Sequence, residues 1–174
     1  MSTIRITTPH GIIRVALDAS AAPHTVANFL AYVRTQAYTD GGFWRTVVSN
    51  PDNQPNNTIK IDVIQGTIRT GVEKLAPLPL ERTTTSGLCH RDGTISMGRF
   101  APDSAQADFF ICIGDQPELD FGGLRNPDGQ GFAAFGQVIE GMDVVRVIHR
   151  QPQHAQQFTP AIPILQIDEE LIAR

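Results

Sequence analysis

Ala107-Asp108-Phe109-Phe110-Ile111-Cys112-Ile113 sets five apolar side chains in a row from Phe109 onward. A run this short and this continuous reads as a β-strand packed on both faces. Neighbouring side chains on a strand point opposite ways, so Phe109 and Phe110 serve different faces of their sheet. Outward from this strand the chain repeats the pattern in short pieces. Ile4–Thr8 and Ile13–Leu17 alternate apolar and polar residues around Pro9-His10-Gly11, which predicts an opening hairpin. Phe43–Val48, Ile59–Gln65, Gly93–Met97, Phe132–Ile139 and Ile162–Leu171 read as further strands. Two segments have helical spacing. One starts at Pro23 and runs to about Thr35, with Val26, Phe29, Leu30 and Val33 on one face. The other is Met142–His149, with Val144, Val145 and Ile148. Residues 66–92, 114–131 and 150–160 lack periodicity and read as loops.

Eight strands at fairly regular spacing, with no strict strand–helix alternation, exclude a doubly wound parallel sheet. The expectation is a mainly β fold: a closed eight-stranded antiparallel β-barrel capped by two α-helices. At 174 residues the chain is one domain's worth, residues 1–174. The 15 glycines and 12 prolines suit many turns between short strands. Residues 49–57, Ser-Asn-Pro-Asp-Asn-Gln-Pro-Asn-Asn, form a polar run with two prolines that cannot pack a core.

Lys and Arg number 14 against 18 Asp and Glu, a net charge of −4. That balance argues against nucleic acid as a partner, because phosphate binding needs a clustered positive face. No run approaches the ~18 apolar residues of a membrane span. The start shows no basic stretch followed by an apolar one, so a soluble cytoplasmic protein is expected. Two cysteines, Cys89 and Cys112, make no disulfide framework. The five histidines show no metal-binding spacing, and neither a phosphate loop nor a nucleophile elbow occurs. No metal and no cofactor are therefore expected.

What remains is a set of short segments in a particular order. They are Phe43-Trp44-Arg45, Val63-Ile64-Gln65-Gly66, Gly93–Met97, Asp108–Ile111, Leu119-Asp120, Phe132–Gly136 and Glu140-Gly141-Met142. In this order they resemble the cyclophilin-type peptidyl-prolyl cis–trans isomerases, the bacterial branch in particular. Ala22–Val33 resembles that family's first helix. The resemblance runs from Ile4 to about Leu171.

The chemistry of such an enzyme follows from the peptide bond. An Xaa-Pro bond rotates over a barrier of about 18–20 kcal/mol. Uncatalysed, this takes tens to hundreds of seconds. At the twisted transition state amide resonance is lost and the prolyl nitrogen lone pair becomes a hydrogen-bond acceptor. A fixed cation with N–H donors near that nitrogen binds the twisted state better than the planar one, and such differential binding is catalysis.

The resemblance implies that Arg45 is that cation. It implies that Gln65 binds substrate backbone or orients Arg45, that Phe110 floors a proline pocket, and that Leu119 and Phe132 line its wall. Val63 falls on another pocket position, as does Asp108, and the backbone of Gly98 and Arg99 falls where the family contacts peptide. Expected ligands are proline-containing peptides and unfolded client proteins. The rival expectation is a weak or inactive proline-peptide-binding module on the same fold. It rests on Asp62, Asp108 and Glu118, which fall where the family keeps uncharged residues and which could pair with Arg45, or favour a basic residue beside the proline. Loss of the aromatic at Glu118 implies weak or no binding of the macrocycle cyclosporin. The polar run at about 49–57 is an insertion against the family pattern, read either as a tolerated surface loop or as a lid over the groove.

Overall fold

The hairpin forms as the alternation dictates. β1 (Ser2–Thr8) and β2 (Gly11–Leu17) pair antiparallel, with Ile4 opposite Val15 and Ile6 opposite Ile13. Gly11 turns the chain at φ +131°, where an added Cβ would lie 2.8 Å from Val144. The computed structural model describes residues 1–171. Helix α1 (Pro23–Arg34) starts with Pro23 in its first turn and buries Val26, Phe29, Leu30 and Val33. The first-turn N–H groups of Thr25 and His24 donate to the Glu81 carboxylate at 2.6 and 3.4 Å. An anion there satisfies orphan donors and opposes the helix dipole.

The remaining elements are β3 (Gly42–Val47), β4 (Val63–Thr67), α2 (Thr83–Ser86), β5 (Thr94–Met97), β6 (Phe109–Cys112), β7 (Ala134–Glu140), α3 (Met142–His149), β8 (Gln157–Pro163) and β9 (Gln166–Glu170). All the pairings are antiparallel, in one sheet ordered β8-β3-β4-β6-β5-β7-β2-β1-β9.

The mainly β, antiparallel expectation holds, but the closed eight-stranded barrel does not. The sheet has nine strands, and β8 and β9 are its two free ends, with no ladder between them among the described residues. The strand predicted over 162–171 is split at Ile164-Leu165. Ile164 donates to Gly41 O beside β3, and Leu165 donates to Thr7 O on β1. Those two residues carry the chain from one sheet edge to the other, so the sheet curls round without closing its ladder. β8 itself begins inside the predicted loop 150–160. It contains Pro160, which an edge strand tolerates because it needs donors on only one side.

A second correction concerns β4, predicted from Ile59. It starts at Val63. The backbone of Ile61 is engaged by a side chain instead: its N–H donates to Gln54 Oε1 at 3.0 Å, and Gln54 Nε2 donates to its carbonyl at 2.9 Å. The short α2 and a 3-10 turn at Pro117–Leu119 also lie in stretches predicted as loop.

Strand β6 separates two apolar regions, as its unbroken run requires. Phe109 is fully buried in the main core, edge-on to Phe29, Tyr38 and Phe43 at ring distances of 5.5–5.7 Å. Phe110 and Cys112 point the other way, into a smaller cluster with Val47, Ile61, Val63 and Leu119. Burial pushes the Cys112 thiol well above its ordinary range, and neither cysteine is in a disulfide. Ile61, Val63, Phe110 and Leu119 of the smaller cluster also line a surface cleft.

Candidate active site

Three adjacent strands set the site out in a row. On the sheet, Arg45 of β3 lies opposite Gln65 of β4, and Gln65 lies opposite Phe110 of β6. A bulge between Phe43 and Arg45 interrupts the alternation of β3. Phe43 stays in the core, while both Trp44 and Arg45 line a cleft of about 490 Å³. Bulges commonly re-aim side chains in this way.

The guanidinium of Arg45 is held by neutral amides. Its Nε donates to Gln156 Oε1 and its Nη1 to Gln65 Oε1, both at 3.0 Å. Nη2 has no protein partner among the described residues. The Gln65 amide donates onward from Nε2 to Asp108 Oδ2 at 3.0 Å, which fixes its orientation. Trp44 Nε1 donates to the same oxygen at 3.2 Å. Behind Arg45, Gln156 Nε2 donates to the carbonyl of Asn53 at 3.0 Å. Burial lowers the pKa of Arg45 from its ordinary value, yet an arginine stays charged at any physiological pH.

The floor is apolar. Phe110 stacks on His90, with ring centroids 5.9 Å apart, and meets Phe132 edge-on at 5.6 Å. His90 is locked behind it between Asp120 at 2.7 Å and the Ser96 hydroxyl at 2.8 Å. Burial opposes ionisation of Asp120, but the hydrogen bonds from His90 outweigh it and hold the carboxyl below its ordinary range. Leu119 and Val63 complete the floor, both buried. Phe132 carries the Arg99 guanidinium 4.7 Å from its ring centre. The Arg99 side chain is only 1% exposed and is committed to Asp128 and Gly131 O, so the part of this half-buried residue that meets solvent is its main chain. At Gly98 an added Cβ would come 3.1 Å from Gln65 Nε2 and 3.2 Å from Asp108 Cβ, so a side chain there would crowd the amide that orients Arg45.

All nine residues singled out from the sequence border this one cleft. Of the three carboxylates Asp62, Asp108 and Glu118, only Asp108 is among them. Asp62 does not line the cleft; it accepts from the backbone and hydroxyl of Ser49 and lies 3.3 Å from His149. Glu118 turns to the backbone N–H of Leu124. Asp108 does line the cleft, but its bonds go to Gln65 and Trp44. The expectation that these carboxylates could pair with Arg45 is therefore corrected: none of the three forms an ion pair with it.

The insertion is not a lid either, since no residue of 49–57 borders the cleft. It lies behind it, where Asn53 braces Gln156 and the fully buried Gln54 binds Val48, Ile61 and Arg125. Sequence reasoning missed Trp44, Gln156 and Arg125. Trp44 stands between Phe43 and Arg45, and only the bulge brings it round to the cleft. Gln156 is 111 residues from Arg45 in a stretch without periodicity, and carried no local signal.

The family model for cyclophilin type peptidyl-prolyl cis-trans isomerase/CLD matches residues 3–169. Peptidyl-prolyl cis-trans isomerase cyp18 of Streptomyces antibioticus is 35% identical over 158 residues, covering 85% of this chain and 83% of that protein. Peptidyl-prolyl cis-trans isomerase B of Escherichia coli K12 is 36% identical over 146 residues, covering 79% of this chain and 78% of that protein. A crystal structure of a cyclophilin type peptidyl-prolyl cis-trans isomerase from Cryptosporidium parvum, determined in the presence of the dipeptide Ala-Pro, superposes with a TM-score of 0.77. It is 21% identical and covers 98% of this chain and 99% of that one, which is a likeness of fold.

Proposed function

The chain belongs to the cyclophilin-type peptidyl-prolyl cis–trans isomerases, and from that premise we propose how its cleft turns an Xaa-Pro bond. The observation that carries the reading is the state of Arg45. Two of its nitrogens are anchored to neutral amide oxygens at 3.0 Å, and no carboxylate pairs with it. Its charge is thus positioned without being neutralised, and Nη2 is left for a ligand.

A proline ring seated on Phe110, Leu119, Val63 and Phe132 puts the prolyl nitrogen near this guanidinium. In the planar amide that nitrogen is a poor acceptor. As the bond twists, the lone pair localises and the hydrogen bond from Arg45 strengthens. Only the twisted state gains, so the barrier falls by about 1.36 kcal/mol for each tenfold in rate. Gln65 keeps the guanidinium in place, and the exposed main chain of Gly98 and Arg99 holds the flanking peptide. No nucleophile and no cofactor enters the step.

The proposed ligands are proline-containing peptides and unfolded client proteins, and the proposed role is relief of slow Xaa-Pro steps in folding, in the cytoplasm. The alternative of an attenuated binding module depended on carboxylates quenching Arg45, and it loses that support with Asp62 and Glu118 away from the cleft. Weak cyclosporin binding stays part of the proposal, because Glu118 brings no aromatic surface. The test is exchange between cis and trans forms of an Ala-Pro-containing peptide, followed by NMR with catalytic amounts of protein. Exchange faster than the uncatalysed tens of seconds supports the reading, and an unchanged rate removes it.

A further inference from the structure

The cleft is electrically lopsided in a molecule that is acidic as a whole. Among the described residues lining it, Arg45, Lys74, Arg99 and Arg125 face a single carboxylate, Asp108. Arg99 is neutralised by Asp128, and Asp108 is committed to Gln65 and Trp44. That leaves three cations with no ion pair among the described residues: Lys74, which is exposed, and Arg45 and Arg125, which are half-buried guanidiniums.

Arg125 is held much as Arg45 is, by neutral oxygens. Its Nη1 donates to Gln54 Oε1 at 2.7 Å and to Ile59 O at 2.6 Å. Both bonds leave from one nitrogen, so Nε and Nη2 have no protein partner among the described residues. Gln54 is fully buried and is itself fixed by Ile61 and Val48, so the 49–57 insertion clamps Arg125 in place. The Glu118 carboxylate accepts from the Leu124 N–H and forms no ion pair with Arg125 among the described residues. Burial, and then the charge of Arg45, lower the pKa of Arg125, so the two cations feel each other. Holding like charges together beside an apolar floor is unfavourable unless something negative joins them.

We propose that Arg125, positioned by Gln54 of the insertion, is a specificity residue that reads a carboxylate on the substrate, so that the enzyme favours proline segments with an acidic side chain flanking the Xaa-Pro bond. This rests on the isomerase reading of the same cleft. It reverses the preference for a basic neighbour that the carboxylates suggested in the sequence. An oriented guanidinium suits a carboxylate, since its donors match both oxygens.

The test uses one peptide frame with Glu, Gln or Lys placed in turn at each position flanking Xaa-Pro. At the responsive position kcat/KM for Glu should exceed that for Gln by about fivefold, as one half-exposed charge pair allows, and Lys should fall below Gln. Arg125→Gln should bring the Glu-to-Gln ratio to about one, while Arg125→Lys keeps it above one. The ratio is taken within each enzyme, so any general loss of activity cancels. In wild type, 1 M salt should shrink the ratio, because screening then acts over ~3 Å. That result stands whatever the variants do. A wild-type ratio near one, or a ratio that survives Arg125→Gln, overturns the inference. Failure to turn over even the Gln peptide would remove the isomerase reading itself, which separates the two.

Discussion

Replacing Gln156 by alanine isolates the support of Arg45 from its chemistry. The side chain of Gln156 does two things: it accepts from Arg45 Nε at 3.0 Å and donates to Asn53 O at 3.0 Å. Its backbone, at φ +72°, accepts from Thr46 N and is untouched by the change. Glutamine and alanine are strained alike at that φ, so the fold loses only two partly solvated hydrogen bonds, one of them to a charged group, about 2–4 kcal/mol of stability. The guanidinium loses one of its two anchors. A hydrogen bond to a charged group is worth about 1.5–3 kcal/mol. If roughly 1.4 kcal/mol of that is spent on aiming Arg45 at the twisted bond, kcat falls about tenfold. KM should stay within about twofold, since the proline floor is unaltered. The assay is NMR line-shape or exchange analysis over a range of peptide concentrations, with urea unfolding as the control. A loss confined to KM, or no loss with the fold intact, would refute the claim that the amide cradle serves the transition state.

Other outcomes follow from the same geometry. Gln54→Ala strips partners from Val48 O and from both backbone groups of Ile61, so urea denaturation should show a loss of about 2–4 kcal/mol. Asp120 has a folded-state pKa below its unfolded value of about 3.9, so its contribution is complete above that pH and lost as pH falls through the folded value. Asp120→Asn should therefore flatten the acid limb of the stability curve below about pH 4, and an unchanged limb would count against the His90 brace. Glu118→Trp should tighten cyclosporin binding, read by calorimetry; equal affinity in both proteins would show that this position does not control it.

The parts of the site legible in the sequence are those that repeat a local pattern. Arg45, Gln65 and Phe110 stand on three short strands, and their segments keep a fixed order, so alternation and resemblance together place them on one face. The parts that were not legible depend on long-range contacts. Gln156 and Arg125 sit in aperiodic loops, and each gains meaning only from a partner 111 or 71 residues away. Asp62 was misplaced for a related reason. Gln54 takes over the backbone pairing of Ile61, so residues 59–62 leave the strand and Asp62 turns to Ser49. The ninth strand was hidden because no glycine or polar run separates Ile162 from Ile167, and only the pairing of Ile164 with Gly41 and Leu165 with Thr7 shows the switch of edges.

Catalysis by this cleft rests on a positioned, unpaired guanidinium at Arg45, and the most direct test is isomerisation by Arg45→Ala beside wild type on one Xaa-Pro peptide. With the fold confirmed by urea unfolding, kcat/KM should drop by about 100-fold or more, the scale set by removing one preorganised donor from an active site. Catalysis within a few-fold of wild type in the folded variant would contradict it.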